Sequence, residues 1–596
     1  MLPFLKSVPV QNYLAVDKFR GINVTEGISP GEYVSCSNVD SLAFPAISSR
    51  KKRSLFSLCN GTINGVGSFD GFFYTYYTET PKSIKLFFKG KSYEYKSYSD
   101  STDYTTRRQF ATLENCIVII PDNVIFYTDT LEFKKINVYQ VYKNGDIAKK
   151  FAAEGLTTAN YDYTKLAKRG YITSSSIYSH VCNYTYTGNT RDFYCIAFNK
   201  DLKAGDVIKV KATVVSPSAE YTSAYTSFVE KIKTRGFSAK IKSITSKTHF
   251  TPKGTITEVT ALNFDSNAIN TGGYYDLHFT DITIERLMPD VSHICSFNNR
   301  IWAVGGGKVY ASKLGEPDAW NDFSVDSHGT LPSSSFASSA ATNGDFTAII
   351  PHGNYIYALK ENHIHKIYGD TPDEYTISNM EATGCLKGAP TIAVCGTYLV
   401  YASNNGICIL REGYPKVISK KIGDISPICA AAQGNMYYVL CKHKNGRAIY
   451  VYDMDHDMWT MQSCGQNADN LCTNGSDVCF SEGEKLIYLT SDKGEEHEKN
   501  VHWNFRLRFD RNEFARNTAI RLVARISLGK NASYTAYAIY DDDTRGAVVG
   551  ECFDETESGS SILRLPVKRD LGFCIEFRGV GEFTMKSIKF SYYKSE

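Results

Sequence analysis

The chain has 596 residues, and 66 Lys+Arg against 63 Asp+Glu leave a formal charge of +3, which argues against a broad polyanion-binding surface and makes any basic contact local. At this length a sizeable core and several domains are expected, and 13% aromatics, with 41 Tyr and 33 Phe against 8 Met and 17 Pro, favour strands over helices. There is no apolar run of about 18 residues to span a membrane. The opening MLPFLKSVPVQNYLAVDKFRG lacks the basic, apolar and small-residue pattern of a secretory signal. The 16 cysteines sit singly in apolar runs such as ENCIVII and NGICIL, which reads as buried, reduced thiols.

In chain order, residues 1–55 have little periodicity and read as an arm that is ordered only by lying on something else, its own propeller or a neighbouring subunit. The arm ends in the single basic run, Arg50, Lys51, Lys52 and Arg53. Four charges there read as a solvated face, with a DNA or subunit contact as the functional alternative.

From residue 56 a unit recurs in which one strand ends at a Gly, Asn or Asp turn and an aromatic-rich strand follows. Its seven copies are FDGFFYTY, LENCIVII, FNNRIWAV, HGNYIYAL, CGTYLVYA, QGNMYYVL and NGSDVCFS, whose second residues are Asp70, Glu114, Asn298, Gly353, Gly396, Gly434 and Gly475. Five of the six spacings between these markers suit one four-stranded propeller blade of about 40–50 residues, and the turn chemistry is that of tight hairpins. The remaining spacing, from Glu114 to Asn298, equals one blade plus an insertion. The prediction is an all-β β-propeller of about seven blades, with blades in 56–139 and 286–499. An inserted β-rich domain is expected over 140–285. Longer alternating strands over 500–596, among them HWNFRLRF, IRLVARISLG and GFCIEFRGVG, predict a C-terminal β-sandwich.

The chemistry-bearing clusters are sparse. His363 and His365 alternate along one strand and face one side of a sheet, but two imidazoles without a third ligand make no zinc site. Asp453, Asp455, His456 and Asp457 in YDMDHDMW lack the Gly and Glu of a calcium loop and read as a hairpin turn. Gly305 to Lys308 (GGGK) is followed by Val309 instead of the Ser or Thr of a phosphate-binding loop. No catalytic residues, cofactor or metal ligands are assigned, and the chain is read as a non-enzyme.

Three passages together resemble the propeller-bearing nozzle, or tail tubular protein B, of short-tailed bacteriophages and the related packaged-DNA stabilisation proteins. The first is Phe19-Arg20-Gly21 followed by GEYVSCSNVD and SSRKKR; the second runs from NNRIWAVGGGKVYASKLGEPDAW through GCLKGAPTIAVCGTYLVYASNNGICIL; the third is LRLPVKRDLGFCIEFRGVGEF. The resemblance implies a structural virion protein without catalytic activity. It would be assembled in the host bacterial cytoplasm into a homo-oligomeric ring, sixfold, fixed to adaptor and portal-side proteins and other tail proteins. Such a ring touches double-stranded DNA transiently, gates its channel, retains the packaged genome and contacts no membrane in the assembled virion. The alternative is a receptor-binding or glycan-processing propeller tail protein, although the S-x-D-x-G-x-x-W boxes of sialidases are missing from the blades.

Overall fold

The computed structural model describes residues 11–96, 103–142, 170–323 and 332–594, apart from short segments at 173–174, 179–180, 187–188, 195–197, 199–200, 216–222, 252–253, 266–276, 412, 444–445, 492, 510–516, 541–545, 554–558, 567–568 and 571–572. All seven repeat markers lie in the tight turns at which a first strand reverses into a second, and all take left-handed φ: Asp70 49°, Glu114 48°, Asn298 47°, Gly353 58°, Gly396 58°, Gly434 55° and Gly475 57°. Gly, Asn and Asp tolerate that conformation, which matches the right-handed twist of the paired strands. Glu114 is the exception and bears the Cβ clash of a bulky side chain in this region.

Each turn opens an antiparallel sheet of up-and-down strands: blade 1 (residues 62–95), blade 2 (109–135), blade 3 (293–339), blade 4 (348–381), blade 5 (393–417), blade 6 (426–463) and blade 7 (468–488). The sheets form a β-propeller. An apolar cluster fills the space between each successive pair, and another joins blade 7 back to blade 1 through Cys479, Leu486, Ile63, Phe72 and Tyr74. Because both faces of every blade are covered, the second strands read as continuous apolar runs, such as Cys116–Ile120 and Tyr398–Ser403, in place of simple alternation. Each fully buried Leu, Ile or Phe in these clusters contributes roughly 1.5–3 kcal/mol relative to exposure.

Ring closure corrects one expected boundary. Ser54–Leu58, assigned to the junction of arm and first blade, is the fourth strand of blade 7, pairing with Lys485–Tyr488 on one side and with Glu495–Glu496 on the other. Two chain segments more than 400 residues apart thus complete one sheet.

The arm is corrected in part. It does rest on its own propeller, where its strands meet Met458–Ser463 of blade 6, but those strands also enter both sheets of the C-terminal sandwich. Gln11–Val16 and Ile47–Ser49 pair with Phe583–Lys594, and Glu32–Ser37 pairs with His502–Phe509. Residues 11–49 and 502–594 are therefore one β-sandwich. Its interior is a column of rings: Phe505 lies 5.1 Å from Phe577, Trp503 3.8 Å from Phe583, and Phe509 4.9 Å from Phe590. Trp503 Nε1 donates to the Gly581 carbonyl at 3.0 Å, so the Arg-Gly-x-Gly turn cradles this indole.

The sandwich shares a continuous core with blades 5 and 6, in which Phe19, Ile22 and Tyr33 of the arm meet Tyr437, Tyr450 and Trp459. Gly21, at φ +84°, passes so close to Trp459 that a Cβ would lie 2.6 Å from its carbonyl oxygen. The Phe-x-Gly signature thus marks a buried ring and a point of backbone contact.

Between blades 2 and 3, strands from Val138–Tyr142 to Leu277–Arg286 build an eight-stranded sheet, with the helix Ser223–Thr234 against Val207–Val215. The sheet is tied to blade 3 by ions. Asp318, fully buried, accepts from Lys203 of the inserted domain at 3.0 Å and from Lys134 of blade 2 at 2.7 Å, and Lys240 reaches Asp322 at 2.9 Å, while Arg286 donates to Asp206 at 2.5 Å within the inserted domain.

Candidate functional site

The basic run does not form a patch. Arg50 and Arg53 are turned inwards, 3% and 5% exposed, while Lys51 and Lys52 face solvent. Arg50 grips the Glu498 carboxylate with both terminal nitrogens at 2.7 Å and donates from Nε to Asn38 at 2.9 Å. Arg53 donates to the Ser463 carbonyl at 2.6 Å and lies over the Phe480 ring. Burial, then the neighbouring Arg50, pushes Arg53 down to about 9. Placing Arg50 and Arg53 in a DNA or subunit contact is therefore corrected: these guanidiniums fasten the arm, the sandwich linker and blades 6 and 7 together. The run looked like a solvated face because charge number is visible in sequence, whereas the partner, 445 or more positions away, is not.

His363 and His365 do share one face of a strand, with ring centres 6.2 Å apart. His365 is 2% exposed, exchanges a hydrogen bond with Thr342 Oγ1 at 2.9 Å and meets Phe346 edge-on. Burial, then Lys360, pulls it down to about 4, so it is neutral at physiological pH. The buried Lys360 ammonium, laid over Phe346 and donating to the Thr342 carbonyl, would repel a cation at this position. No group of three or more His, Cys, Asp or Glu suited to a metal occurs among the described residues.

The Asp-rich stretch is a capped hairpin. Asp453 accepts from the backbone N–H of Asp455 and from Ser41 Oγ at 2.6 Å, while His456 stacks on Phe44 at 3.8 Å. Both Ser41 and Phe44 belong to the arm, so this turn is part of the arm's seat. The GGGK segment forms the hairpin between Arg300–Gly305 and Lys308–Ala311.

Two cavities stand out. The first, about 470 Å³, lies on the propeller axis and is lined by six of the blades and by the segment that enters blade 5, with Val66, Ala111, Ile294, Ile349, Ile392 and Leu471 contributing apolar surface. Its principal charge, Arg107, is neutralised by Asp469 and also donates to the Ile428 carbonyl at 3.2 Å. The neighbouring Arg108 points into blade 2, where it and the Tyr95 hydroxyl hold the buried Asp122 at 3.0 and 2.8 Å. Cys429 lines the same space, but burial pushes its thiol up to about 11, leaving it protonated and a poor nucleophile. The axial space is thus a mostly apolar core with one internal ion pair, at the scale of a small-molecule pocket.

The second cavity, about 580 Å³, opens between blades 4 and 5 and gathers His352, Lys366 and Arg411 around Tyr357 and Tyr398. Sequence reading missed both spaces, because their walls come from many separate strands. The one local signal for the first was the pair Arg107-Arg108 at the entry to a strand.

No family model matches the chain, and no curated protein matches it. Among solved structures it is similar to a catalytically inactive virginiamycin B lyase from Staphylococcus aureus with quinupristin, at 11% identity and a TM-score of 0.29, over 74% of this chain and 98% of that one. It is also similar to an exo-β-1,3-galactanase from Phanerochaete chrysosporium with galactose, at 10% identity and a TM-score of 0.20, over 50% of this chain and 96% of that one. At these values neither enzyme's activity extends to this chain.

Proposed function

We propose that this chain is a structural, non-catalytic virion protein of a tailed bacteriophage, a subunit of the ring at the tail nozzle or head-tail connection through which DNA leaves. The observation that carries this reading is the outward face of the sandwich edge strand Ala547–Phe553. Val548 and Phe553 there are 56% and 70% exposed, opposite Tyr537 and Ser533 of the neighbouring strand. An edge strand that exposes two large apolar side chains on either side of Glu551, and that pairs on one side only among the described residues, is a site for association, and a second copy of the chain is the occupant that would build a ring. The arm, locked into its own sandwich, is not available for exchange between subunits, so ring contacts fall to the sandwich edge and the inserted domain. The axial cavity is too small for a duplex, so the DNA channel lies between subunits. A ring of sixfold symmetry, seated on adaptor and portal-side proteins, is the expected assembly.

Mass photometry of the full chain, alone and with adaptor protein, together with electron microscopy of the particles, tests the proposal. A closed ring with a central channel near the width of a duplex is expected. A particle that stays monomeric with its neighbours present would overturn it.

The groove between blades 4 and 5 favours a second reading, a receptor-binding propeller on the tail.

A further inference from the structure

Blades 4 and 5 pack tightly through Leu359, Ile364, Leu399, Tyr401 and Leu410, then diverge to leave the 580 Å³ groove. Its apolar floor is Ile364, Met380, Leu399 and Leu410, and its polar wall includes Ser378, Asn379 and Thr397. Three basic side chains line it, His352, Lys366 and Arg411, and no carboxylate does. Some exposed lysines elsewhere face a carboxylate, as in Lys89 with Asp70, Lys387 with Asp345 and Lys493 with Asp477. Among the described residues Lys366 and Arg411 have no such partner.

Both cations are instead laid on aromatic faces, Lys366 Nζ 3.4 Å from the Tyr355 centroid and the Arg411 guanidinium 5.0 Å from that of Tyr398. Cation–π contact holds a positive group in place without cancelling its charge. Lys366 also stands mid-strand, in register with Tyr357 on one side and Ser378 on the other, so a rigid element carries it. Two fixed, uncompensated cations above an apolar floor, with hydroxyl and amide groups around them, suit a ligand that has an anionic group, an apolar ring face and several hydroxyls. The volume is that of small-ligand pockets.

We propose that the groove between blades 4 and 5 binds an acidic sugar unit, its carboxylate held by Arg411 and Lys366 and its ring resting on the Met380, Leu399 and Leu410 floor. This goes beyond the ring reading and does not depend on it. The full chain is titrated by calorimetry and saturation-transfer NMR with glucuronate, N-acetylneuraminate, glucose 6-phosphate and glucose. Binding of either carboxylate sugar, at least about tenfold stronger than glucose, is expected. K366Q and R411Q should each weaken it by about tenfold, while K493Q, remote from the groove, leaves it unchanged. Circular dichroism confirms that each variant is folded, and mass photometry reports ring formation separately. Failure of both carboxylate sugars to bind, binding of glucose 6-phosphate alone, equal binding of glucose, or binding that survives K366Q/R411Q would each overturn the proposal.

Discussion

Glu114 and Gly353 occupy equivalent turns at φ 48° and 58°, and only one of them suits that conformation. A Cβ added to Gly353 would meet nothing within 4 Å, so Gly353→Ala isolates the backbone cost. We expect it to destabilise by about 1–2 kcal/mol, and Glu114→Gly to stabilise by up to about 1 kcal/mol, as read from urea or thermal unfolding. Equal responses at the two sites would contradict the conformational account. His365 gives a pH signature at the same scale. Its folded pKa of about 4 lies below the ordinary 6.5. Its neutral form is therefore favoured in the fold, and stability should fall from pH 6.5 towards 4 as the unfolded chain takes up the proton first. His365→Gln should flatten that part of a melting-temperature profile against pH.

At the level of elements, charged groups buried between chain segments decide what docks where. For Asp318, burial alone would raise the pKa, but Lys134, Lys203 and Arg286 outweigh it and bring it down to about 2. A folded value below the ordinary 3.8 means that this stabilisation is complete above pH 3.8 and disappears as pH falls through 2. Asp318→Asn should loosen the inserted domain at neutral pH by about 2–3 kcal/mol, since it leaves cations without their anion, and should speed proteolysis within 170–286 while the blades stay resistant. Glu498→Gln removes the shared anion of Arg50 and Arg53, and a loss of about 2–4 kcal/mol is expected in unfolding experiments. If the basic run were a solvated face, that substitution would have almost no effect.

For the whole molecule, the sandwich edge carries the assembly proposal. Val548→Asp with Phe553→Asp should leave the circular dichroism spectrum and melting temperature nearly unchanged, because both side chains are exposed, and abolish the ring seen by mass photometry. Rings that persist in this variant would move the contact elsewhere, to the inserted domain first. The sequence by itself determined the propeller. Asp70, Glu114, Asn298, Gly353, Gly396, Gly434 and Gly475 lie at turns whose geometry is set by a few adjacent residues, and local rules suffice for these. The alternation over 500–596 likewise announced a sandwich from within its own strands. Tertiary structure alone decided that residues 11–49 complete that sandwich, that Ser54–Leu58 closes blade 7, that Arg50 and Arg53 are internal, and that Lys366 and Arg411 meet in one groove. Each of these depends on a partner brought close only after folding, and pairing or burying a charge leaves no periodic trace along the chain.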